Sequence, residues 1–261
     1  MNSNRDIVIP FRYCDDHADR YLRWTLRSFD LHLRNVGRVV IVGDIPYWLT
    51  RDTSVAVGVP YHHYFRHKFQ NLAAAMMTSI RSLGILGEFL YSGDDIFHLA
   101  DYDANEIPYF RRRDAIRSAK EYWSAYDPHK DGERGYVQMM TATRSALESR
   151  GYRTVEFEGH ATRLCDAAYV GEVASILADA IGDVQFEPSC LFGNVALRHD
   201  PDIPCVSRTD MKIRTMREFE KVMAERGSTY CFSIHPCMMQ QPDFINAMDA
   251  LYPKKSRYEL W

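Results

Sequence analysis

The sequence predicts an α/β fold with a mainly parallel central sheet flanked by helices. Short apolar runs typical of buried strands alternate with stretches in which apolar residues recur at helical spacing, and this alternation favours βαβ units. The run at residues 38–43 (RVVIVG) has four consecutive aliphatic side chains, as expected of a strand that helices cover on both faces. With 261 residues, 46% of them hydrophobic, the chain can bury one large core.

The first hundred residues are predicted to run in the order strand, helix, strand, strand, helix, strand. The strands are expected at residues 6–10, 38–43, 54–59 and 89–91. The first helix is marked by Leu22, Leu26, Phe29 and Leu33, and the second by Phe69, Leu72, Ala73, Met76, Met77 and Ile80. Apolar stripes of this kind are typical of helices that pack on a sheet.

The rest of the chain is predicted to belong to the same single domain. Residues 101–135 are crowded with charged and aromatic side chains and show little periodicity, so we expect a mobile excursion there. The later elements are expected to be helices at 137–150, 170–181, 216–223 and 244–251, strands at 154–157 and 229–234, and irregular strands at 190–194 and 203–213.

The bulk composition gives the chain no general attraction to polyanions. Its net charge is -3, so no global basic field favours nucleic acid or an anionic membrane. The six cysteines form no Cys-x-x-Cys pair, and we expect them to be buried thiols in a reducing compartment. The sequence has neither a signal-like N-terminus nor an apolar run long enough to span a bilayer. We therefore expect a cytoplasmic protein without a membrane span.

Two adjacent carboxylates follow the fourth predicted strand, within the stretch EFLYSGDDIFHL at residues 88–99. Asp94 and Asp95 stand where one apolar run ends, and residues 96–97 resume burial directly after them. Ligands of open α/β sheets bind at the carboxyl ends of strands, and paired carboxylates there can hold a hard divalent cation with its phosphates. The same residues are also ordinary turn or helix-capping chemistry. Both a metal-diphosphate site and a simple turn are consistent with these residues alone.

Polar side chains also follow other predicted strands. Arg12 lies in the loop after the first strand, where an arginine can meet phosphate and a neighbouring aromatic ring can stack on a base. A salt-bridged surface loop is the alternative. Asp44 ends the second strand, and His160 and His235 each follow a later predicted strand.

The second predicted helix begins among hydrogen-bond donors. Arg66 and His67 precede it, and Lys68 and Asn71 lie near its start. Because a helix N-terminus attracts anions, these donors suit a phosphate group. The chain contains no P-loop, no Gly-x-Gly-x-x-Gly and no Gly-x-Ser-x-Gly elbow, which weakens NTPase, dinucleotide-binding and serine-hydrolase interpretations.

Four ordered pieces mark the block from Tyr21 to Phe97, and they read RYLRWTLRSF, VVIVGDIPYWL, KFQN and FLYSGDDIF. In these pieces the block resembles the second conserved region of the Stealth-type sugar-phosphate transferases and of small phage-encoded glycosyltransferases related to them. Two weaker blocks follow in the same order: FEGHATRLCD at residues 157–166 resembles the family's histidine block, and LYPKKSRYE at residues 251–259 resembles its closing motif. Four ordered pieces are more specific than two aspartates alone.

The resemblance implies a GT-A-like (Rossmann-like) fold that binds a nucleotide-diphosphate sugar. It implies that Asp94 and Asp95 hold a divalent cation, Mn²⁺ or Mg²⁺, with the donor diphosphate, and that His160 is an active-site residue. The further donor-binding residues are expected to be Pro10, Phe11, Arg12, Asp44, Lys68, Asn71 and Gly93. The expected parts of the single domain are a nucleotide-sugar-binding half at 1–100, a mobile or acceptor-facing excursion at 101–135 and an acceptor and catalytic half at 136–261.

The chain departs from the family pattern at three places. Residues 10–13 (PFRY) stand where the family has a Trp-Val-Asp-Gly type sequence, and residues 234–236 (IHP) stand where it has Asn-Asp. Thr162 stands where the histidine block has a proline. The resemblance therefore supports the donor-binding fold better than it supports the type of reaction.

These features together predict a metal-dependent glycosyltransferase that moves a sugar from a nucleotide-diphosphate sugar, with a UDP-sugar as the expected donor, to an acceptor hydroxyl. Asp94 and Asp95 supply the cation that neutralises the leaving diphosphate, and His160, or else His235, takes the hydroxyl proton. One alternative is sugar-1-phosphate transfer of the Stealth type, in which an arginine stabilises the phosphoryl oxygens. The other is a non-catalytic module that binds a sugar or a partner. The acceptors to consider are a glycan, a protein and, with less support, modified DNA.

Overall fold

Strands and helices alternate along the chain, as the sequence predicts. The computed structural model describes residues 4–62, 68–178, 185–207 and 211–260. In these residues the strands are β1 (Arg5–Phe11), β2 (Leu33–Arg34), β3 (Val36–Gly43), β4 (Ala56–Pro60), β5 (Glu88–Tyr91), β6 (Ile96–His98), β7 (Tyr102–Asp103), β8 (Tyr109–Arg111), β9 (Arg163–Asp166), β10 (Cys205–Ser207), β11 (Lys212–Ile213) and β12 (Cys231–Ile234). The helices are α1 (Ala18–His32), α2 (Lys68–Leu83), α3 (Ala119–Trp123), α4 (Asp131–Glu148), α5 (Val170–Ala178), α6 (Pro188–His199), α7 (Met216–Ala224) and α8 (Pro242–Leu251).

The first strand, β1, lies in the middle of the largest sheet. Among the described residues this sheet has five strands in the order β4-β3-β1-β5-β9. β1 pairs in parallel with β3 and with β5, β3 pairs in parallel with β4, and β9 runs antiparallel beside β5. The α/β class and the mainly parallel central sheet flanked by helices are therefore confirmed.

The direction in which the chain winds changes at β1. From β1 the chain moves outward through β3 to β4, and it then crosses to the other side of β1 to form β5. The carboxyl ends of β1 and β5 consequently flank a topological switch point. Open α/β sheets bind their ligands in the crevice at such a point.

One apolar core surrounds the central sheet. α2 packs on β1 and β3, and α6 packs on β9 and on the helices α2, α4 and α5. Most side chains of β1 and β3 are buried, which explains why these strands are almost unbroken aliphatic runs.

A second, smaller sheet carries a second apolar core. In the described part of the chain its order is β11-β12-β6, with β6 antiparallel to β12. Side chains alternate between the two faces of a strand. Ile96 and Cys231 accordingly join the main core, whereas Phe97 and Phe232 join the second core together with side chains of α7 and α8.

The helix α1 lies between the two cores. Leu26 packs in the main core and Trp24 in the second core. Trp24 lies outside the stripe that predicts this helix, yet it is fully buried, with its indole edge-on to Phe97 and Phe244. A helix covered on two sides needs a wider apolar surface than the single stripe that identifies it in the sequence.

Two of the predicted strands are wrong. Residues 154–157 contain only an isolated bridge between Glu156 and Arg113, and the strand of this region is β9. Residues 190–194 belong to the helix α6, which Glu187 caps through a hydrogen bond from the Cys190 N–H group. Because α6 is buried on nearly every side, its sequence lacks the amphipathic period of a surface helix. The predicted end of the preceding helix, near Ile181, lies outside the described residues.

The segment 101–135 contributes to the main core. Ile116 and Tyr122 are fully buried there. Arg112 and Arg113, two members of the arginine triplet, form ion pairs with the buried Glu156. These side chains anchor the segment to the rest of the fold.

All six cysteines are free thiols. The expectation of buried thiols is confirmed for Cys165, Cys190 and Cys231, but Cys14 is exposed. No helix within the described residues combines the length and the apolar character needed to cross a membrane.

Candidate functional site

Asp94 and Asp95 form the turn between β5 and β6, at the carboxyl edge of the central sheet. Both residues are half-buried. The Ser92 N–H group donates to the carbonyl of Val8 in β1 at 3.0 Å, and the Thr25 hydroxyl in α1 donates to the carbonyl of Asp94 at 2.7 Å. The two carboxylates therefore stand on a turn whose backbone is fixed from two sides.

Gly93 leaves room for the carboxylate of Asp95. A Cβ atom at position 93 would lie 2.9 Å from Asp95 Oδ1 and 3.3 Å from Ile96 Cγ1. Any larger residue at this position would displace that carboxylate. Gly93 is predicted to bind the donor, and the observed geometry gives it the role of positioning Asp95.

The pKa of Asp94 responds to burial and to the neighbouring carboxylate. Burial, followed by the charge of Asp95, raises the pKa of Asp94 to about 7, and Asp15 adds a smaller rise. The charge of Lys68 acts in the opposite direction. Neighbouring like charges in a poorly solvated place favour the arrival of a cation, because a cation stabilises both ionised groups.

The loop after β1 forms one wall of the site. A cleft of about 440 Å³ opens here, lined by Tyr13, Cys14, Asp15, Asp16 and Asp19. Burial, then the charges of Asp15 and Asp94, raise the pKa of the Cys14 thiol, and Lys68 opposes them. The charges of this loop, of the aspartate turn and of Lys68 at the start of α2 therefore act on one another.

Asp44 braces the ends of β1 and β3. Its N–H group donates to the Phe11 carbonyl at 3.0 Å, and its carboxylate accepts the Tyr13 N–H group at 2.8 Å. The Tyr13 hydroxyl donates to Asp19 at 2.9 Å. The predicted donor-binding residues Phe11 and Asp44 are thus brought together at the same edge of the sheet.

The other predicted residues of this loop differ in their exposure. Pro10 and Phe11 end the strand β1, and their side chains are buried. Their part in the site is to position the loop that follows them. Arg12 is exposed at the start of that loop, where it can meet an anion. The ring of Tyr13 is 42% exposed and can stack on a planar group.

Lys68 and Asn71 lie near the start of α2 but face different surroundings. Lys68 is exposed, and its charge opposes the rise in the pKa of Asp94 that burial and Asp95 cause. Asn71 is buried, and its Oδ1 accepts a hydrogen bond from the Tyr61 hydroxyl at 3.3 Å. Lys68 therefore reaches the site, whereas Asn71 supports the fold beneath it. The predicted donors Arg66 and His67 lie outside the described residues.

His160 lies in the loop before β9, because the predicted strand at 154–157 does not form. β9 runs antiparallel to β5, with Arg163 opposite Tyr91. The start of an antiparallel strand meets the carboxyl end of its partner. The half-buried His160 therefore lies near the expected edge of the sheet, but it precedes a strand instead of following one. The Cys231 thiol donates to the His160 carbonyl at 3.9 Å.

Thr162 ties this loop to the aspartate turn. Its Oγ1 lies 2.9 Å from Ser92 Oγ and 2.8 Å from His98 Nε2, and all three residues are fully buried. The resembling family has proline at this position, which offers no hydroxyl. The departure from the family pattern therefore coincides with a hydrogen-bonded link in this chain.

His235 follows β12, in the small sheet, and approaches the aspartate turn from the other side. β12 pairs antiparallel with β6, with Ser233 opposite Ile96. Residues that follow β12 therefore face the residues that precede β6, which are Asp94 and Asp95. The pairing brings the second predicted histidine to the same site.

The His235 ring is arranged as a hydrogen-bond donor. Its Nδ1 accepts the Cys237 N–H group at 3.3 Å, which places the proton of the neutral ring on Nε2. Burial, then the charges of Lys212 and Arg214, lower the pKa of His235 and so favour the neutral ring. A ring in this tautomer donates from Nε2 more readily than it accepts a proton there.

Tyr21 adds a hydroxyl that the sequence pattern does not single out. The residue is 7% exposed, and its Oη has no hydrogen-bond partner among the described residues. Burial, then the charges of Asp15 and Asp95, followed by Cys14 and Asp94, raise the pKa of this hydroxyl. The charges of the acidic cluster therefore act on this hydroxyl. A tyrosine near the start of an amphipathic helix is ordinarily a core residue. The sequence pattern therefore does not indicate a functional role for Tyr21.

The donor set fits a divalent cation that brings ligands of its own. The described residues hold no group of three or more His, Cys, Asp or Glu side chains arranged to bind a metal. Mg²⁺ is commonly held by one or two carboxylates together with substrate phosphates and water, and the same oxygen ligands suit Mn²⁺. Asp94 and Asp95 match this mode, and the unpartnered Tyr21 hydroxyl offers a further contact.

Comparison with known proteins assigns the chain to no family. No protein-family model matches it, and no curated protein matches it either. The family resemblance therefore rests on the sequence blocks given above, and the candidate site rests on its own geometry.

Proposed function

We propose that this protein is a metal-dependent glycosyltransferase of GT-A-like fold that transfers a sugar from a UDP-sugar to an acceptor hydroxyl. The observation that carries the proposal is the position of Asp94 and Asp95. They follow β5 at the carboxyl edge of a mainly parallel sheet, beside the switch point at β1. They are accompanied by a turn with a fixed backbone, by a raised pKa of Asp94 that burial and Asp95 cause, and by the buried Tyr21 hydroxyl, which has no hydrogen-bond partner in the described part of the chain.

The donor is held by residues from three loops and from the start of α2. Asp94 and Asp95 would hold a divalent cation, which would supply the charge that neutralises the diphosphate leaving group. Lys68 and Arg12 add positive charge around the phosphates. Asp44 accepts hydrogen bonds from hydroxyl groups of the nucleotide.

The acceptor hydroxyl needs a base and a group that orients it. His160 is the base in this proposal, since its loop is linked to the aspartate turn through Thr162 and Ser92. His235 orients the acceptor by donating from Nε2, as its hydrogen bond with the Cys237 N–H group favours. His235 is thus assigned to positioning instead of proton abstraction.

The test is release of the nucleotide product. Purified protein is incubated with a panel of UDP-sugars and Mn²⁺, and UDP and UMP are separated by anion-exchange chromatography. We expect UDP to appear without an added acceptor, by slow hydrolysis of the donor, and to disappear on addition of EDTA. Asp94→Asn and Asp95→Asn should each abolish UDP release, whereas the matched control Asp243→Asn, an exposed carboxylate in α8, should retain it.

The other outcomes are equally informative. Release of UMP in place of UDP means that water, in the place of the acceptor, attacks the β-phosphorus with UMP as the leaving group, as expected of sugar-1-phosphate transfer of the Stealth type. UDP release that is unchanged in both aspartate variants contradicts the metal role of Asp94 and Asp95. Absence of both turnover and metal-dependent donor binding for every UDP-sugar contradicts the proposal and favours a binding module or another nucleotide.

A further inference from the structure

The carboxyl ends of β11 and β12 carry a group of side chains that can donate hydrogen bonds. The proposed nucleotide-sugar site does not use them. The two strands are parallel, with Lys212 opposite Ser233, so their ends meet at one edge of the small sheet. Arg214 directly follows β11, and His235 directly follows β12. We call Lys212, Arg214, Ser233 and His235 the edge cluster.

The edge cluster lies on the face of the small sheet that is turned toward the main core. Ile213, Phe232 and Ile234 belong to the second core, on the opposite face. Side chains alternate along a strand, and each member of the edge cluster is adjacent in sequence to one of these three residues. His235 keeps an extended backbone, so the alternation continues through it.

Ser233 is a buried donor without a partner. The residue is 0% exposed, and its Oγ has no hydrogen-bond partner in the described part of the chain. A buried hydroxyl that is left unpaired lowers stability relative to a paired one. Such an atom is expected where a ligand completes the site.

The cluster carries two positive side chains that form no ion pair within the described residues, although the hydrogen bond from the Arg214 N–H group and the charge of Arg214 both help to lower the pKa of Glu218. Lys212 and Arg214 take part in no ion pair there, and their charges add to burial in lowering the pKa of His235. The carboxylate of Glu218 is used by the N–H groups of Arg214 and Thr215, which it accepts at 2.7 Å and 2.9 Å. An arriving anion would therefore find two cations close together.

The edge cluster borders the aspartate turn. Ser233 lies opposite Ile96, the residue that follows Asp95. A ligand held by the cluster is consequently brought beside the donor site, from the side of the small sheet. The loops after β1 and β3, which the donor uses, belong to the other sheet.

We propose that the edge cluster binds a phosphate group of the acceptor, so that the acceptor is a phosphorylated sugar or a glycan that carries phosphate. This inference rests on the proposed function and names the substrate class of the same site. Lys212 and Arg214 supply charge, and the Ser233 hydroxyl and His235 Nε2–H supply neutral donors, a combination suited to a phosphate monoester. The diphosphate of the nucleotide sugar offers the same kind of oxygen atoms. The experiment below distinguishes a phosphate of the acceptor from this diphosphate.

The experiment follows the His235 ring by NMR in protein labelled with ¹³C-histidine, without metal. Glucose 6-phosphate is the probe, glucose is its uncharged counterpart, and the signal is assigned by its loss in His235→Gln. We expect a saturable shift with glucose 6-phosphate and none with glucose. Lys212→Gln and Arg214→Gln should each weaken the apparent Kd by roughly tenfold, and Ser233→Ala should weaken it less. The matched control Lys221→Gln, on the exposed side of α7, should leave the Kd unchanged.

Three results would overturn the inference. The first is the absence of a saturable shift. The second is a Kd of Lys212→Gln and of Arg214→Gln that equals the Kd of the natural protein. The third is a stronger response to metal-free UDP than to glucose 6-phosphate, which would assign the cluster to the nucleotide sugar. Binding of glucose 6-phosphate should persist in Asp94→Asn. A loss of donor turnover with intact glucose 6-phosphate binding would therefore count against the proposed function and not against this site.

Discussion

The Thr25 hydroxyl in α1 donates a hydrogen bond of 2.7 Å to the main-chain carbonyl of Asp94. Thr25 is fully buried, on the helix that separates the two apolar cores. The aspartate turn is thus held by a helix as well as by the sheet it follows. The bond also joins two of the blocks that carry the family resemblance, RYLRWTLRSF and FLYSGDDIF.

Replacement of Thr25 by valine should disturb both stability and the site. Thr25→Val keeps the shape of the side chain but removes the donor to the Asp94 carbonyl, so we expect the free energy of unfolding to fall by about 1 to 3 kcal/mol. Metal-dependent UDP release should fall as well, because the turn that carries both carboxylates loosens. Urea denaturation and product chromatography measure the two effects. Thr25→Ser retains the hydroxyl, and equal UDP release by the two variants would show that this bond does not position the turn.

Removal of the Tyr21 hydroxyl should weaken the binding of Mn²⁺ with UDP without lowering the stability of the fold. The hydroxyl is buried without a partner among the described residues, so Tyr21→Phe should leave the metal-free protein as stable as before or more stable by up to about 1 kcal/mol. Binding of Mn²⁺ with UDP should weaken in the same variant, since the charges of Asp15, Asp94 and Asp95 act on the hydroxyl that is lost. Calorimetric titration and thermal unfolding provide the two measurements. Unchanged binding would mean that the hydroxyl contacts neither the cation nor the nucleotide.

A methyl group at Gly193 should disturb the histidine loop from a distance. Gly193 lies in α6 against Phe157, and a Cβ atom there would overlap the Phe157 ring. Phe157 directly precedes the loop that carries His160. We therefore expect Gly193→Ala to lower the free energy of unfolding by about 1 to 3 kcal/mol through overpacking and to reduce UDP release.

The matched control for that variant is Gly135→Ala in α4. No atom lies within 4 Å of a Cβ atom built at Gly135, and alanine is favoured over glycine in a helix by about 0.5 to 1 kcal/mol. This control should be slightly more stable than the natural protein and fully active. A Gly193→Ala variant with the same gain in stability would show that the packing around Phe157 yields without cost.

The central sheet is predictable because its signals are local. β1 and β3 are apolar runs whose burial on both faces can be inferred from a few consecutive residues. β9 is different, since this antiparallel edge strand has charged residues at both ends, Arg163 and Asp166, and only two apolar residues between them. α6 escapes prediction for the opposite reason, because a short apolar run that is buried all round is typical of a strand as much as of a helix.

Some residues of the candidate site also have a local signal in the sequence, and others do not. Asp94 and Asp95 can be found in the sequence because they interrupt an apolar run. Tyr21 and the remaining members of the edge cluster, Lys212, Arg214 and Ser233, cannot, since their positions depend on the pairing of β6 with β12 and on the packing of α1 between two cores, whereas His235 is already a candidate in the sequence. Contacts between residues far apart in the chain leave no periodic pattern in either partner.

The closing motif of the chain is held to α1 by one buried carboxylate. Glu259 accepts hydrogen bonds from Arg23 at 2.6 Å and from Arg27 at 2.9 Å and 3.0 Å. Its carboxylate also accepts the N–H and hydroxyl groups of Ser256 at 3.0 Å. Burial by itself raises the pKa of Glu259, but the hydrogen bonds from Arg27, Ser256 and Arg23 outweigh it and hold the pKa below its usual value.

Because the pKa of Glu259 is lower in the folded chain than in the unfolded chain, its contribution to stability is fully present above the unfolded value of 4.5 and is lost as the pH falls through the folded value. At pH 7, Glu259→Gln should lower the free energy of unfolding by about 3 kcal/mol, since two partly buried arginines lose their common partner. The difference between the natural protein and this variant should shrink steadily below pH 4.5. Urea denaturation between pH 7 and pH 3 measures it, with Glu220→Gln, an exposed acid in α7, as the matched control. A difference that stays constant over this range would show that the loss comes from altered packing and not from the ionised carboxylate.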